Sequence, residues 1–286
     1  MSIAAHLHGP SGSWECPVWF TVAVVFAGLG YVRGWLQLRS TSPGLVPAWR
    51  AVSFFAGLGS IWVAVASPFA LCDDQRLLTG HMVQHLLLLS LAPPLVLLGS
   101  ALLALSYGLP PEIAQAVGAA ARWPRVRRIG EVLGQPALGW LAATLVLVVW
   151  HVPAALTLGL QSETWHAVEH ASFLATGLLF WWPVIQPWPS TPTGPQWWMV
   201  VYLFLAMLPC DIMAGFLVFS ERVLYPVYLS TPGQPALSPL DDQQLAGALM
   251  WTGVTIIYLV AGTIISARLL SAPSAAEDRL AVAEPA

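Results

Sequence analysis

Lysine is absent from this 286-residue chain; all eleven basic residues are arginine. Charge of either sign is scarce, at 9% of residues against 57% apolar ones. That balance, with a mean hydropathy of +0.70, excludes an ordinary soluble domain. No basic block with interleaved aromatics occurs, which argues against a nucleic-acid partner. Cysteine is limited to Cys16, Cys72 and Cys210, with no Cys-x-x-Cys. The odd count leaves at least one thiol unpaired and implies no disulfide framework. The first residues lack a basic segment followed by an apolar core, so they do not read as a cleaved signal peptide. The net charge of −3 says little, because in a membrane protein the placement of charge matters more than its sum.

What the chain has is long apolar runs and fifteen tryptophans. A spanning helix needs roughly 20 apolar residues. Seven stretches qualify: Val18–Leu38, Ala48–Leu71, Leu77–Leu105, Ala137–Leu160, Trp165–Ile185, Trp197–Phe219 and Leu245–Leu270. The expected fold class is therefore all-α, a polytopic membrane bundle of seven helices in contact with the lipid bilayer. Pro93-Pro94 predict a kink in the third span. Residues 1–17 form an N-terminal segment outside the membrane, 18–270 the transmembrane domain, and 271–286 an Ala/Pro/Glu-rich tail without fixed structure. Tryptophans near span ends, such as Trp14, Trp19, Trp150, Trp165, Trp181-Trp182 and Trp197-Trp198, read as interfacial belts.

Orientation follows from arginine placement. Arg39 and Arg50 lie in the first loop, four arginines between 122 and 128 lie in the third, and Arg268 and Arg279 follow the last span. The alternate loops carry acids instead: Asp73 and Asp74, then Glu163, then Glu221, Asp241 and Asp242. The N-terminus is thus expected outside and the C-terminus inside. The arginine-rich third loop has room for a short amphipathic helix at the interface.

This topology brings the costly residues to one depth. His81 and His85 fall in the first turns of the third span, and His151 near the outer end of the fourth. His166, Glu169 and His170 open the fifth, and Asp211 occupies the outer third of the sixth. Ionisable residues inside a membrane mark function by default. Residues four apart on a helix project from one face, about 40° apart. His81/His85 and His166/His170 each form such a pair, so two helices offer four imidazoles to one ion. His151 is a fifth donor, and Glu169 and Asp211 are companions as ligands or as groups that orient an imidazole. A single site requires the two pairs to approach within about 8 Å or to have an acid between them, since metal–nitrogen bonds are about 2 Å. Imidazole-rich sites suit copper, zinc, iron or nickel; the sulfur of Met82, Met207, Met213, Cys72 or Cys210 would favour Cu(I). Asp241 and Asp242 sit in a polar loop, where solvated acids and helix caps are normal. His6 and His8 belong to a polar terminus.

At these residues the chain resembles the CtaG-type cytochrome oxidase assembly factors, a membrane family tied to caa3-type oxidases. The matching segments are HMVQHLLLLSLAPPLVLLG from His81, WHVPAALTLGLQSETWHAVEHASFLATGLLFWWPVI from Trp150, DIMAGFLVFSERVLYPVY from Asp211 and DDQQLAGALMW from Asp241. They occur in order and cover roughly residues 50–270. One departure is Gly99-Ser100-Ala101, where the family tends to have Gly-x-Pro; it bears on loop geometry. The resemblance implies a multi-pass protein of the bacterial inner membrane that helps mature haem-copper oxidase. It further implies copper delivery to the oxidase subunits, with a periplasmic copper chaperone as a possible donor. No catalytic residue and no organic cofactor is assigned.

Three other readings compete. An intramembrane zinc hydrolase of ceramidase type would use His81, His85, His151 and Asp211 to activate water. A b-type haem protein would take one histidine from each of two facing helices, such as His85 and His170. A pump or channel would use Glu169 and Asp211 as a relay, but it should also leave polar residues in the inner half of the spans, which helices three to seven lack.

Overall fold

The computed structural model describes residues 18–42, 44–67, 77–185, 197–230 and 237–271. The N-terminal segment with His6, His8 and Cys16, the Cys72–Arg76 loop, most of the fifth loop and the tail after Ser271 lie outside the described residues. Among the described residues every regular element is helical, as expected. The helices are α1 (Val18–Thr41), α2 (Ala48–Ala66), α3 (Leu78–Leu98) and α4 (Ala101–Gly108). Then come α5 (Pro111–Ala121), α6 (Pro124–Leu133), α7 (Pro136–Trp150) and α8 (Pro153–Gln161). The last three are α9 (Glu163–Ile185), α10 (Trp198–Phe219) and α11 (Pro239–Ser271), with a 3-10 turn over Pro226–Ser230.

Among the described residues five helices, α1, α2, α3, α10 and α11, are long and apolar enough to cross a membrane; α6 and α7, bent by 63°, make a sixth if they are one span. The chain is a multi-pass membrane protein. The count differs from the seven read off the sequence at two places. The 23-residue α9 does not qualify, because its first two turns carry Glu163, His166, Glu169 and His170, whose polarity offsets its apolar remainder. The fourth stretch, expected as one helix over Ala137–Leu160, is broken at His151-Val152. Proline disfavours the helical region for the residue before it. Val152, preceding Pro153, accordingly adopts ψ 128°, and His151 becomes the corner between α7 and α8.

The third stretch also departs from a single rod. Pro93 and Pro94 lack the N–H that would close a helical turn, and their rings press on the carbonyls a turn earlier. The helix responds with a wider π turn over Leu87–Leu91, a recognised way of relieving such a conflict. It then stops at Gly99-Ser100, where Ser100 takes the left-handed φ of 51°. The Tyr31 hydroxyl donates to Gly99 O at 2.9 Å, and the Arg50 guanidinium bonds the Ser100 hydroxyl.

Two cores result. The smaller holds α1, α2 and α4 together through Tyr31, Leu38, Phe54, Leu103 and Ala104, with the Tyr31 and Phe54 rings stacked at 3.9 Å. The larger fills the space among α3, α7, α9, α10 and α11 with Leu147, Phe173, Phe180, Trp181, Tyr202 and Tyr258. In lipid, helices associate by close packing of small residues rather than by a hydrophobic driving force. At Gly34 of α1 an added Cβ would collide with the backbone carbonyl of Ala104 in α4. Gly34→Ala is therefore expected to destabilise the protein by about 1–3 kcal/mol, seen as a lower midpoint in thermal unfolding. Gly59→Ala, where the new Cβ meets nothing within 4 Å, is the matched control and should not lower it.

Candidate metal centre

The centre begins with the spacing on α3. His81 and His85 are one turn apart, with ring centroids 4.3 Å from each other, and both are buried. Facing them, α9 supplies Glu169, which has no exposure. His81 Nε2 and Glu169 Oε1 are hydrogen-bonded at 3.2 Å. His85 Nε2 lies 3.1 Å from the same oxygen but off the hydrogen-bonding direction. One ligand atom from each of the three residues fits within 4.8 Å of the other two. Glu169, read from the sequence as a companion, is thus the pivot between the two helices.

The other three histidines surround this group. His166 stacks near His81 at 5.8 Å between ring centroids, and His170 is 4.1 Å from His166 and 6.4 Å from His85. The two pairs therefore meet the 8 Å requirement, with an acid between them. His151, at the corner after α7, lies 6.0 Å from His85. Asp211 is not in the three-residue group; it sits half-buried on α10, and its Oδ1 has no hydrogen-bond partner. Ring contacts link all five histidines expected at the site, while Asp211 stands outside the three-residue group.

Neighbouring groups fix which nitrogens face inward. His151 Nδ1 is 2.7 Å from Leu147 O. A carbonyl only accepts, so Nδ1 carries the proton and Nε2 the free lone pair. That Nε2 is buried without a hydrogen-bond partner, as are His81 Nδ1, His85 Nδ1 and Glu169 Oε2. His170 Nε2 donates to Gln84 Oε1 at 3.0 Å, which leaves Nδ1 as its lone-pair nitrogen. Buried polar atoms normally find partners, so four such atoms around one carboxylate fit an ion better than a purely structural network. Among the described residues the three-residue group holds no cysteine. Cys210 instead lines a pocket with Ser90, Trp140 and Tyr258, which no histidine enters.

Several residues that hold the centre had no local signal in the sequence. Trp150 Nε1 donates to Ser172 Oγ at 2.9 Å, and Ser172 Oγ to Glu169 O at 2.7 Å. Phe173 lies against His85 with 4.1 Å between centroids. Gly159 of α8 comes so close that a Cβ there would stand 2.5 Å from Glu169 Oε2. The carboxylate is the end of a flexible side chain and can turn away. Gly159→Ala is therefore expected to leave the fold intact but to weaken metal binding about 10-fold or more, measured by metal titration alongside thermal unfolding.

The DDQQ segment at the start of α11 is a clasp. Asp242 is buried and accepts from two backbone N–H groups of α3, Leu78 at 2.6 Å and Thr79 at 3.2 Å. These are N–H groups that a helix start cannot satisfy internally. Asp242 thus caps a helix other than its own, one turn before His81. Asp241 does the local work: its N–H and its carboxylate both bond the Ser238 hydroxyl. Gln243 accepts from Leu224 N at 2.7 Å and donates to Arg222 O at 3.2 Å. In the same loop the Tyr225 hydroxyl donates to His151 O at 3.0 Å. One segment so steadies both α3 and the His151 corner.

Helices of membrane length around a buried cluster of histidines and one glutamate define a class: multi-pass membrane proteins with a polar centre inside an apolar bundle. More particularly, the chain belongs to the cytochrome c oxidase caa3 assembly factor family (Caa3_CtaG), whose family model matches residues 29–272. The match takes in the second half of α1, which the resemblance from about residue 50 onward had left out. No curated protein and no solved structure matches the chain.

Proposed function

We propose that this protein receives copper at the outer side of a bacterial inner membrane and passes it to a haem-copper cytochrome c oxidase during assembly. The observation that carries the reading is the shared carboxylate: Glu169 Oε1 lies 3.2 Å from His81 Nε2 and 3.1 Å from His85 Nε2. Near it His81 Nδ1, both ring nitrogens of His85 and His151 Nε2 are buried without a hydrogen-bond partner. His81, His85 and Glu169 would hold the ion, His151 would complete the shell, and His166 and His170 would line its approach. Copper is favoured among the metals that imidazole accepts by membership in an oxidase assembly family. The ion is cargo here, and a shell of imidazoles and one carboxylate suits release. Oxidase subunits are the recipients and a periplasmic copper chaperone the donor.

The reading places α9 across the bilayer with the other long helices, giving seven spans, N-terminus outside and C-terminus inside. The arginines at 122, 125, 127 and 128 then fall on the inner side and the histidines near the outer. The zinc hydrolase reading gains no support: it needs Asp211 beside the histidines, and Asp211 is not in the group. The test is made in cells that depend on this assembly step. With His85→Ala or His170→Ala the oxidase should be made but purify deficient in copper. A fully metallated oxidase in both strains would refute copper delivery through this site.

A further inference from the structure

We propose that α6 is a binding element for anionic lipid headgroups, lying in the membrane interface. Its sequence, PRVRRIGEVL, is amphipathic around the helix, with Arg125 and Val132 at the boundary between its two sides. At 100° per residue, Val126, Ile129 and Leu133 fall within one narrow arc, and Arg127, Arg128 and Glu131 fall on the opposite side. No residue of α6 is buried among the described residues. Val126, Ile129 and Leu133 are 41%, 59% and 42% exposed, so no protein neighbour covers the apolar edge.

The attachment of α6 says what does cover it. The helix joins α7 through Gly134 and Gln135 only, bent from it by 63°. The elbow is set against α9: a Cβ at Gly134 would lie 3.7 Å from the Trp182 ring. Because α7 runs within the membrane bundle and α6 turns sharply from it at that short elbow, α6 lies along the bilayer surface. An apolar edge at that place meets acyl chains, and the basic side meets headgroups. Charge selects which headgroups. Between residues 122 and 133 four arginines, Arg122, Arg125, Arg127 and Arg128, accompany one acid, Glu131, and Glu112 of α5 lines a pocket with Arg122. Arg127 pairs with Glu131 at 3.3 Å, and no ion pair among the described residues engages Arg122, Arg125 or Arg128. Arginine guanidinium is well shaped for phosphate oxygens, and anionic lipid adds attraction for each basic residue held at the surface. Exposed Trp123, just before the helix, is the kind of ring that settles at headgroup level.

The test uses the full chain in vesicles containing phosphatidylcholine and phosphatidylglycerol in equal amounts. A photo-crosslinking residue replaces Ile129, and the lipid adducts are read by mass spectrometry. Lipid adducts should form, with phosphatidylglycerol enriched about fivefold over phosphatidylcholine. In the same protein carrying Arg125→Gln, Arg127→Gln and Arg128→Gln, the two lipids should be captured equally. No lipid adduct at position 129 would overturn the interfacial placement. Adducts in the ratio of the mixture with all arginines present would overturn the recognition of anionic lipid.

Discussion

Glu169→Gln is expected to weaken copper binding by about 100-fold or more, as much as His85→Ala. Removing a group that merely orients a ligand costs 10–100-fold, and Glu169 stands closer than that. It is the only acid in the three-residue group and has no exposure. A cation placed in a buried, low-dielectric site is costly unless a negative charge accompanies it. Glutamine keeps the size and an oxygen but loses that charge, so the helices stay in place while the site loses its counter-ion. A 100-fold loss corresponds to about 2.7 kcal/mol. Competition titration of the purified protein against a copper chelator gives the number. Asp211→Asn is the contrast: Asp211 lies outside the group, and affinity should stay within about threefold of wild type, a change of under roughly 0.7 kcal/mol. Equal losses in the two variants would mean that the centre is misassigned.

Asp242→Ala should produce the largest loss of stability. It removes the acceptor of two backbone N–H groups, at 2.6 and 3.2 Å, from a carboxylate that is 2% exposed. Each donor stranded in a buried place costs on the order of 1–3 kcal/mol, so about 3 kcal/mol is expected for the pair. At 2–4 °C per kcal/mol for a chain of this size, the thermal midpoint should fall by about 6–12 °C. Asp242→Asn, which keeps one accepting oxygen, should lose about half as much. Because Leu78 and Thr79 precede His81 by one turn or less, the alanine variant should also bind copper more weakly, although Asp242 touches no proposed ligand. A variant as stable as wild type would show that α3 is held by its packing alone.

The histidines were legible in the sequence because polar residues stand out against apolar spans and because i,i+4 spacing fixes a shared face. That logic located His81, His85, His166 and His170 and put His151 at the same depth. It put Asp211 beside the histidines, but cost and depth do not specify which way a helix is turned, and Asp211 stands outside the three-residue group. It under-read Glu169 for the same reason: its place between His81 and His85 depends on the rotation of α9 against α3. The break at His151 had a local cause in Val152-Pro153, and Pro93-Pro94 rightly marked a distortion, though as a π turn just ahead of the prolines. Asp242 had no such signal. It caps a helix that begins 164 positions earlier, and a cap supplied across the bundle leaves no pattern near either end. The span counts differ at α9 because the polar residues it turns toward α3 are those that lower its hydropathy.

The central claim is that a carboxylate and imidazoles from α3, α9 and the α7–α8 corner gather a copper ion. X-ray absorption of the purified, copper-loaded protein addresses it most directly. The account predicts one copper per chain, bound by nitrogen and oxygen at about 2.0 Å, with the signal lost in Glu169→Gln. A protein that retains no copper, or one whose copper is surrounded by sulfur, would contradict it.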